Sequence, residues 1–297
     1  MYFCSMNNIY REIKKILTDG NLSEGEAKAI ALLLLERVAG LPTAKALIAD
    51  GKDLLCRRQT LLELAARVAK GEPVQYVLGE ADFCGLTLKV EPGVLIPRPE
   101  TEELVNWIVE TLHTKQPTLN CQLSTVNCQL LDIGTGSGCI SVALSKKLKN
   151  AEVEAWDVSD VALRVTKENA TKNHVKVKVK KVDILSDDIF GFGNYDVIVS
   201  NPPYICKEEK EEMEKNVLEH EPSLALFVPN EDPLLFYRKI GLLALQLLNN
   251  GGLLFFEINR RFGKEVVTML QELGYEAVEL RQDLFGNDRM VKAIKPQ

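Results

Sequence analysis

The spacing of apolar residues divides the chain into two parts with different periodicities. Over residues 7–70 apolar side chains recur every three to four positions, as at Ile9, Ile13 and Ile16. This is the spacing of amphipathic helices, which bury one face. The pattern predicts a small helical domain over residues 1–80.

From residue 129 onward, short apolar runs alternate with amphipathic segments. The runs predict strands at 129–133, 152–156, 176–182, 195–200, 252–258, 276–281 and 289–294. The segments between them predict helices near 138–148, 159–172, 232–249 and 261–273. Such alternation is typical of an α/β domain with a largely parallel sheet and helices on both faces. Only "QDLFGND" separates the last two strands, so we expect them to pair antiparallel at one edge.

The residues between these two parts predict a β-hairpin, a helix and a polar linker. Two short apolar runs around Glu91-Pro92-Gly93 predict a β-hairpin within residues 81–103. A helical segment follows, and a polar linker at 115–128 carries part of a near repeat, "NCQLSTV" then "NCQLLDI". The α/β domain is therefore expected to span residues 104–297.

Composition narrows the classes of protein that the chain can represent. Apolar residues make up 46% and charged residues 26%, which is an ordinary globular balance. The net charge is 36 − 42 = −6, and residues 1–80 are close to neutral. A broad nucleic-acid surface needs clustered basic residues, and the sequence shows no such cluster. Seven cysteines without a CxxC pair and three scattered histidines predict reduced thiols, no metal site and a cytoplasmic location. We expect a monomer without a membrane span or a secretion signal.

The stretch "QLLDIGTGSGCISVAL" predicts a strand, a glycine loop and a helix. Glycines let the backbone turn tightly and approach a ligand at the carboxyl end of a strand. The sequence has no GxxxxGK[ST] lysine there, which excludes a P-loop. Asp132 precedes the first glycine and favours a ligand that carries a cation over one that carries a pyrophosphate. The candidate cofactor residues of this loop are Gly134, Thr135, Gly136, Ser137 and Gly138.

Two further acids follow the next two predicted strands. Asp157 is placed to accept both hydroxyls of a ribose. Asp183 is placed to bind an exocyclic amine, unless it is only an exposed turn acid, and Ile184 is placed to pack on an adenine face. Together these residues indicate S-adenosylmethionine. A dinucleotide dehydrogenase is the alternative, but it needs a nicotinamide site and a proton donor, and no histidine follows a suitable strand.

The fourth predicted strand ends in Asn201, Pro202, Pro203 and Tyr204, which we call the NPPY corner. Prolines end a strand and stiffen the chain. The Asn201 side-chain oxygen and the Pro202 carbonyl can accept the two N–H bonds of an amide or aromatic NH2 group, and Tyr204 can stack on it. Fixed acceptors of this kind orient the nitrogen lone pair toward a methyl donor. The alternative is a buried strand that merely ends in prolines.

The NPPY corner with "DIGTGSG" resembles the amino-methyltransferases, which modify adenine N6, cytosine N4 or glutamine N5. "GEPVQYVLGEADFCG" (71–85), "LIPRPETEELV" (95–105), "EP" (221–222) and "DLFGNDRMV" (283–291) resemble the HemK/PrmC family. The resemblance implies a seven-stranded, Rossmann-like class I methyltransferase sheet. It also implies methyl transfer from S-adenosylmethionine to the N5 amide nitrogen of the glutamine in the GGQ motif of peptide-chain release factors. The "PRPETE" form favours release factors over the ribosomal-protein relative, which has "PRSP".

The same resemblance assigns cofactor binding to the glycine loop, Asp157 and Asn201, and glutamine binding to the NPPY corner. The chain departs from the family pattern at Ile184, where some relatives carry an aromatic residue, and in "FFEINRRFG", which lacks the glycine of the "EIG" form. Arg98 and Glu100 are expected to cover the methionine end of the cofactor, to order the hairpin, or to form a structural ion pair.

Two other classes share parts of this pattern. A DNA or RNA amino-methyltransferase shares the NPPY corner but should carry a basic recognition domain, whereas residues 1–80 are near neutral. A non-catalytic binding module would retain the fold alone. We expect the helical domain to dock a protein substrate.

Overall fold

The computed structural model of the protein describes residues 3–40, 51–113, 128–186 and 194–297. Part of the predicted helical stretch, residues 41–50, and nearly all of the predicted linker, residues 114–127, lie outside that range. The chain forms two compact units. The first comprises residues 1–80 with 214–220, and the second comprises residues 81–213 with 221–297.

The first unit is helical. A core of interlocking aliphatic side chains, including Ile13, Leu34 and Leu61, is fully buried among its helices. Ser23 begins the second helix with a complete capping box, in which Ser23 and Glu26 satisfy each other's backbone N–H groups. The helices are α1 (Phe3–Asp19), α2 (Glu24–Ala39), α3 (Gly51–Ala69), α4 (Val74–Leu78) and α8 (Lys215–His220).

The second unit contains a seven-stranded sheet, which confirms the predicted fold class. Its strands are β3 (Gln129–Ile133), β4 (Glu152–Asp157), β5 (Val177–Lys181), β6 (Tyr195–Ser200), β9 (Leu248–Glu257), β10 (Glu276–Gln282) and β11 (Asp288–Ile294). Their order is β10-β11-β9-β6-β3-β4-β5. Strands β7 (Ile205–Cys206) and β8 (Phe227–Val228) pair with each other in a separate two-stranded sheet. The five strands from β9 to β5 are parallel, whereas β11 pairs antiparallel with both β9 and β10. The predicted antiparallel pair at one edge is therefore confirmed.

Helices cover both faces of this sheet. They are α5 (Pro99–His113), α6 (Cys139–Lys147), α7 (Asp160–Lys172), α9 (Ser223–Leu226), α10 (Leu235–Leu247) and α11 (Gly263–Glu272). Successive strand residues face opposite cores, as the two-residue period of a strand requires. Phe255 packs with α5 and α6, for example, and Phe256 packs with α10 and α11. Burial on both faces explains why the central strands are continuously apolar.

The predicted hairpin exists, but its turn lies elsewhere. Strands β1 (Glu80–Phe83) and β2 (Leu86–Lys89) pair with each other. Cys84 and Gly85 connect them with φ angles of 50° and 73°. Two successive positive φ angles give a two-residue turn whose twist matches that of the strands. Glu91-Pro92-Gly93 follows the hairpin, so the prediction that the turn lies there was wrong.

Helix α7 closes the outer edge of the hairpin with side chains. Asn169 accepts a hydrogen bond from the Lys89 N–H at 2.6 Å and donates one to the Lys89 carbonyl at 2.9 Å. One turn further along the helix, Asn173 donates to the Thr87 carbonyl at 3.4 Å. The same Asn169 amide donates to the Ser137 carbonyl at 2.8 Å. One buried side chain thus joins the hairpin to the glycine loop.

Strand β9 starts earlier than the sequence indicates. The sequence predicts a strand that begins at residue 252, after a helix near 232–249. In the structure Leu248 already pairs with Tyr195 of β6, and a register shift follows between Tyr195 and Val197. Asn249 donates to Asp196 at 2.8 Å, so a side-chain contact accompanies the shift.

The helices within the described residues are too short or too polar to cross a membrane. Five cysteines have described side chains, and none of these five is paired in a disulfide. They are Cys56, Cys84, Cys128, Cys139 and Cys206.

Candidate active site

The order of the sheet brings the two sequence motifs together. Strand β3 lies between β4 and β6 and is parallel to both, so the chain order reverses at β3. Ligands of open α/β sheets bind at such a reversal, outside the carboxyl ends of the strands. Ile133 pairs with Ser200 at the last position of the ladder. The glycine loop and the NPPY corner therefore leave the sheet side by side.

The glycine loop is held tightly on its inner side. The N–H groups of Gly134 and Thr135 both donate to the Trp156 carbonyl, at 2.9 and 3.0 Å. Gly138 has a φ of 79°, and a Cβ atom there would lie 2.9 Å from the Thr166 side chain and 3.1 Å from its Cα atom. Glycine is required at this position because helix α7 lies directly against the loop.

Asp132 supports the loop from below. Its side chain is fully buried, and Oδ2 accepts hydrogen bonds from the Thr135 hydroxyl at 2.7 Å and the Ser141 N–H at 3.2 Å. Oδ1 is buried without a hydrogen-bond partner among the described residues. Burial raises the pKa of this carboxyl to about 6. The Thr135 and Ser137 side chains are buried as well, so a ligand would meet the backbone of this loop rather than its hydroxyls.

Asp157 ends strand β4 beside the loop, where the sequence predicts it. Its Oδ2 accepts from the Gly136 N–H and its Oδ1 from the Ser159 N–H, each at 2.9 Å. Burial raises the pKa of Asp157, while these backbone donors oppose the shift. The helix cap that follows is made by the Ser159 hydroxyl, which accepts from Ala162 N–H at 3.3 Å. Asp157 therefore orders the loop and is not needed as the cap.

Asp183 lies after β5, in a turn that its own side chain stabilises. Its carboxylate accepts from the Leu185 N–H at 2.9 Å and from the Ser186 hydroxyl at 2.6 Å. The Ser186 hydrogen bond lowers its pKa. Ile184 is partly buried against the core on the α10 and α11 side. Local contacts account for Asp183 without a ligand, and its binding of an exocyclic amine stays a prediction.

The NPPY corner is anchored by a buried carboxylate that the sequence analysis did not select. Glu257 ends strand β9, next to β6, and is 1% exposed. Its Oε2 accepts from the Thr101 hydroxyl at 2.6 Å and its Oε1 from the Tyr204 hydroxyl at 3.2 Å. Thr101 in turn accepts from the Asn201 side-chain N–H at 3.4 Å. Glu257 is thus linked to both ends of the corner.

Burial raises the pKa of Glu257, whereas the Thr101 hydroxyl and the charge of Arg289 oppose that shift. Burial also raises the pKa of the Tyr204 hydroxyl, so that it stays protonated as a donor. One sequence signal was available for Glu257. It is a lone acid at the carboxyl end of an otherwise apolar strand. No comparable signal marks Thr101.

Asn259 occupies the position at which the family pattern has a glycine. It is buried, and its side-chain N–H groups donate to the Tyr204 carbonyl and to Glu209 Oε1, both at 3.0 Å. Its own N–H donates to the Tyr237 hydroxyl at 3.2 Å. The departure in "FFEINRRFG" therefore adds a contact that holds the main chain of the corner.

Arg98 forms an ion pair with the buried Glu221, with 2.6 Å between Nη2 and Oε1. The second oxygen of Glu221 accepts from the Ile96 N–H at 3.1 Å. The stretches "LIPRPETEELV" and "EP", which are far apart in sequence, meet through this pair. Arg98 thus forms a structural ion pair, but with Glu221 and not with Glu100. A role of Arg98 and Glu100 at the methionine end of a cofactor stays a prediction.

This sheet order, with a glycine loop and an acid after its first two parallel strands, defines a class I methyltransferase fold. Solved structures agree: the hMettl16 catalytic domain in complex with MAT2A 3'UTR hairpin 6 matches 79% of this chain and 82% of its own (TM-score 0.56, 20% identity). Human methyltransferase 10 domain containing protein matches 71% of this chain and 90% of its own (TM-score 0.50, 21% identity). At these identities the likeness concerns the fold alone.

Sequence comparisons identify the family. Residues 8–79 match the model of the PrmC N-terminal domain, and residues 114–223 match that of the methyltransferase small domain. A release factor glutamine methyltransferase of Bacteroides thetaiotaomicron is 43% identical over 97% of this chain and 99% of its own. A release factor glutamine methyltransferase of Flavobacterium psychrophilum is 46% identical over 82% of this chain and 81% of its own. The chain belongs to the release factor glutamine methyltransferase family.

Proposed function

We propose that the protein transfers a methyl group from S-adenosylmethionine to the N5 amide nitrogen of the glutamine in the GGQ motif of peptide-chain release factors. The observation that carries this proposal is the NPPY corner, which leaves the sheet beside the glycine loop at the point where the strand order reverses. Membership of the family supports the choice of substrate. We propose the cytoplasm as the place of action and the monomer as the active form.

The residues at the glycine loop fit a cationic adenosine ligand. Asp132 holds one buried oxygen without a partner among the described residues, which favours positive charge near the loop. A Cβ atom at Gly134 or Gly136 would meet nothing within 4 Å, so the outer side of the loop is open. In this proposal the loop backbone holds the amino-acid end of the cofactor and Asp157 holds the ribose. Asp183 and Ile184 flank the adenine. When bound, S-adenosylmethionine would supply an electrophilic methyl group on a sulfonium. Transfer would leave S-adenosylhomocysteine as the product and release one proton from the methylated amide nitrogen.

The protein's own contribution is to orient a poor nucleophile. An amide nitrogen reacts slowly because its lone pair is delocalised into the carbonyl. In the proposed complex Asn201 Oδ1 and the Pro202 carbonyl accept the two N–H bonds, and Tyr204 stacks on the amide plane. Pro202 is buried and Tyr204 is fixed at its hydroxyl, so these groups need no rearrangement during the reaction. Preorganised acceptors of this kind account for large rate effects.

The test is to incubate the protein with methyl-labelled S-adenosylmethionine and, in separate arms, purified release factor or duplex DNA. We expect label in the release factor alone, and mass spectrometry should locate it on the GGQ glutamine. Label in DNA alone would instead favour the nucleic-acid amino-methyltransferases. Cofactor binding without transfer to either substrate would favour a non-catalytic module.

A further inference from the structure

We propose that Thr101 and Glu257 are positioning residues that orient the side-chain amide of Asn201, an inference that rests on the function proposed above. Asn201 is useful to the reaction only when its carbonyl oxygen, and not its NH2 group, faces the substrate. An asparagine side chain can present either group after rotation about its last bond. Something in the protein must therefore select one of the two orientations.

The contacts that make this selection form a short chain. Glu257 and Thr101 are each 1% exposed, so water does not compete for their hydrogen bonds. The Thr101 hydroxyl lies 2.6 Å from Glu257 Oε2 and 3.4 Å from Asn201 Nδ2. Among the described residues Asn201 Oδ1 has no hydrogen-bond partner, which leaves this oxygen for the substrate.

The direction of each hydrogen bond follows from the inventory of donors. An ionised carboxylate only accepts, and a hydroxyl has a single hydrogen to donate. Because Glu257 takes that hydrogen, the Thr101 oxygen can only accept from its other neighbour. Asn201 must then approach Thr101 with its NH2 group. The Asn201 carbonyl oxygen is consequently turned away from Thr101.

The second oxygen of Glu257 acts on the other end of the corner. It accepts from the Tyr204 hydroxyl at 3.2 Å, which fixes the tyrosine ring at its outer end. Two hydroxyl donors on two carboxylate oxygens match the ionised form of Glu257, and Arg289 adds favourable charge nearby. One buried group thus constrains both side chains that we assign to substrate binding.

The test compares substitutions at Thr101 in the full-length protein. Thr101→Val keeps the shape of the side chain but removes the acceptor for Asn201. We expect kcat on release factor to fall by about 10- to 100-fold, as for other losses of an orienting contact. KM for release factor and Kd for S-adenosylmethionine should stay near wild type. Thr101→Ser restores the hydroxyl and should restore most of kcat.

A double variant separates positioning from a general loss of structure. If Thr101 acts through Asn201, then Thr101→Val should lower kcat little further once Asn201→Ala is present, because the effects of coupled residues are not additive.

Glu257→Gln offers one donor and one acceptor where two acceptors are needed, and it should also lower kcat. The matched control is Thr111→Val on the same helix, where the lost hydroxyl donates to the Trp107 carbonyl at 2.8 Å and has no other hydrogen bond within the described residues.

Three results would overturn the inference. They are an unchanged kcat in Thr101→Val, a failure of Thr101→Ser to recover activity, or an equal loss from Thr101→Val in the Asn201→Ala background. Each leaves the proposed function intact if wild-type protein methylates release factor. Absence of methylation by the wild-type protein would remove both proposals together.

Discussion

At the scale of single residues, two carboxylates of the site, Asp157 and Glu257, each accept hydrogen bonds from two different residues. Asp157 accepts the N–H of Gly136 in the glycine loop and the N–H of Ser159 after its own strand, and in the proposed complex it also accepts the ribose hydroxyls. Glu257 is likewise shared by Thr101 and Tyr204. Substitutions at such positions should therefore change both the order of a loop and the binding of a ligand.

Asp157→Ala should weaken the binding of S-adenosylmethionine by roughly 1.5–3 kcal/mol, because two hydroxyls lose a charged acceptor. Calorimetric titration measures this directly. Asp157→Asn is the matched control, since it keeps one acceptor oxygen and should lose less. Equal affinities for wild type and Asp157→Ala would rule out the ribose assignment.

Asn201→Ala should leave folding and cofactor affinity close to wild type while kcat on release factor falls by about 10²–10³. The expected cause is the loss of one preorganised acceptor for the amide N–H. Single-turnover assays with labelled cofactor would measure the loss. A variant that retains nearly full activity would show that the corner is not where the reaction occurs.

Residue identity alone predicted the acids and glycines that follow strands, because those positions are local in sequence. It did not predict the contact between Thr101 and Glu257, because these two residues are 156 positions apart in the sequence. A threonine in the first turn of a helix carries no signal in the local sequence. Its contact with the carboxylate exists only because strand β9 ends beside that helix. Contacts of this kind depend on sheet order, which the apolar pattern leaves open.

At the scale of elements, the apolar runs located most strands to within one or two residues, because strands buried on both faces tolerate few polar side chains. The errors occurred where turn signals competed. Pro92-Gly93 is the stronger turn signal, yet the hairpin turns at Cys84 and Gly85. The predicted strand begins at residue 252, yet Leu248 already pairs with Tyr195 of β6.

The contact between the glycine loop and α7 can be measured through Gly138→Ala. The new Cβ atom would lie 2.9 Å from the Thr166 side chain, and φ is positive. We expect a loss of about 1–2 kcal/mol for the backbone conformation and about 1–3 kcal/mol more for the overlap. Denaturant unfolding gives the total. Gly136→Ala is the control, since its φ is also positive but its Cβ meets nothing within 4 Å. Equal losses in the two variants would show that α7 relaxes without cost.

At the scale of the whole molecule, we propose that the helical unit docks the release factor. A GGQ loop offers a single glutamine, so a second contact would raise its effective concentration at the corner. Deletion of residues 1–75 should leave cofactor binding measurable while methylation of intact release factor falls steeply. A short GGQ peptide should be a poor substrate for both forms.

Helix α8 belongs to the helical unit although it comes from residues 215–220, so circular dichroism must first show that the truncated protein is folded. Unchanged kcat/KM on intact release factor would contradict the docking role. Loss of cofactor binding in a folded truncated protein would point to structural support instead.

The asparagines that close the hairpin have a consequence for the solubility of the protein. A two-stranded hairpin is marginal by itself, and its outer edge presents N–H and carbonyl groups that can recruit a strand from another chain. Here Asn169 binds both the N–H and the carbonyl of Lys89, and Asn173 binds the carbonyl of Thr87. A helix can thus shield a sheet edge with two amide side chains one turn apart. These three backbone groups are therefore not open to a strand from another chain, and Lys89 adds a charged side chain at the same edge.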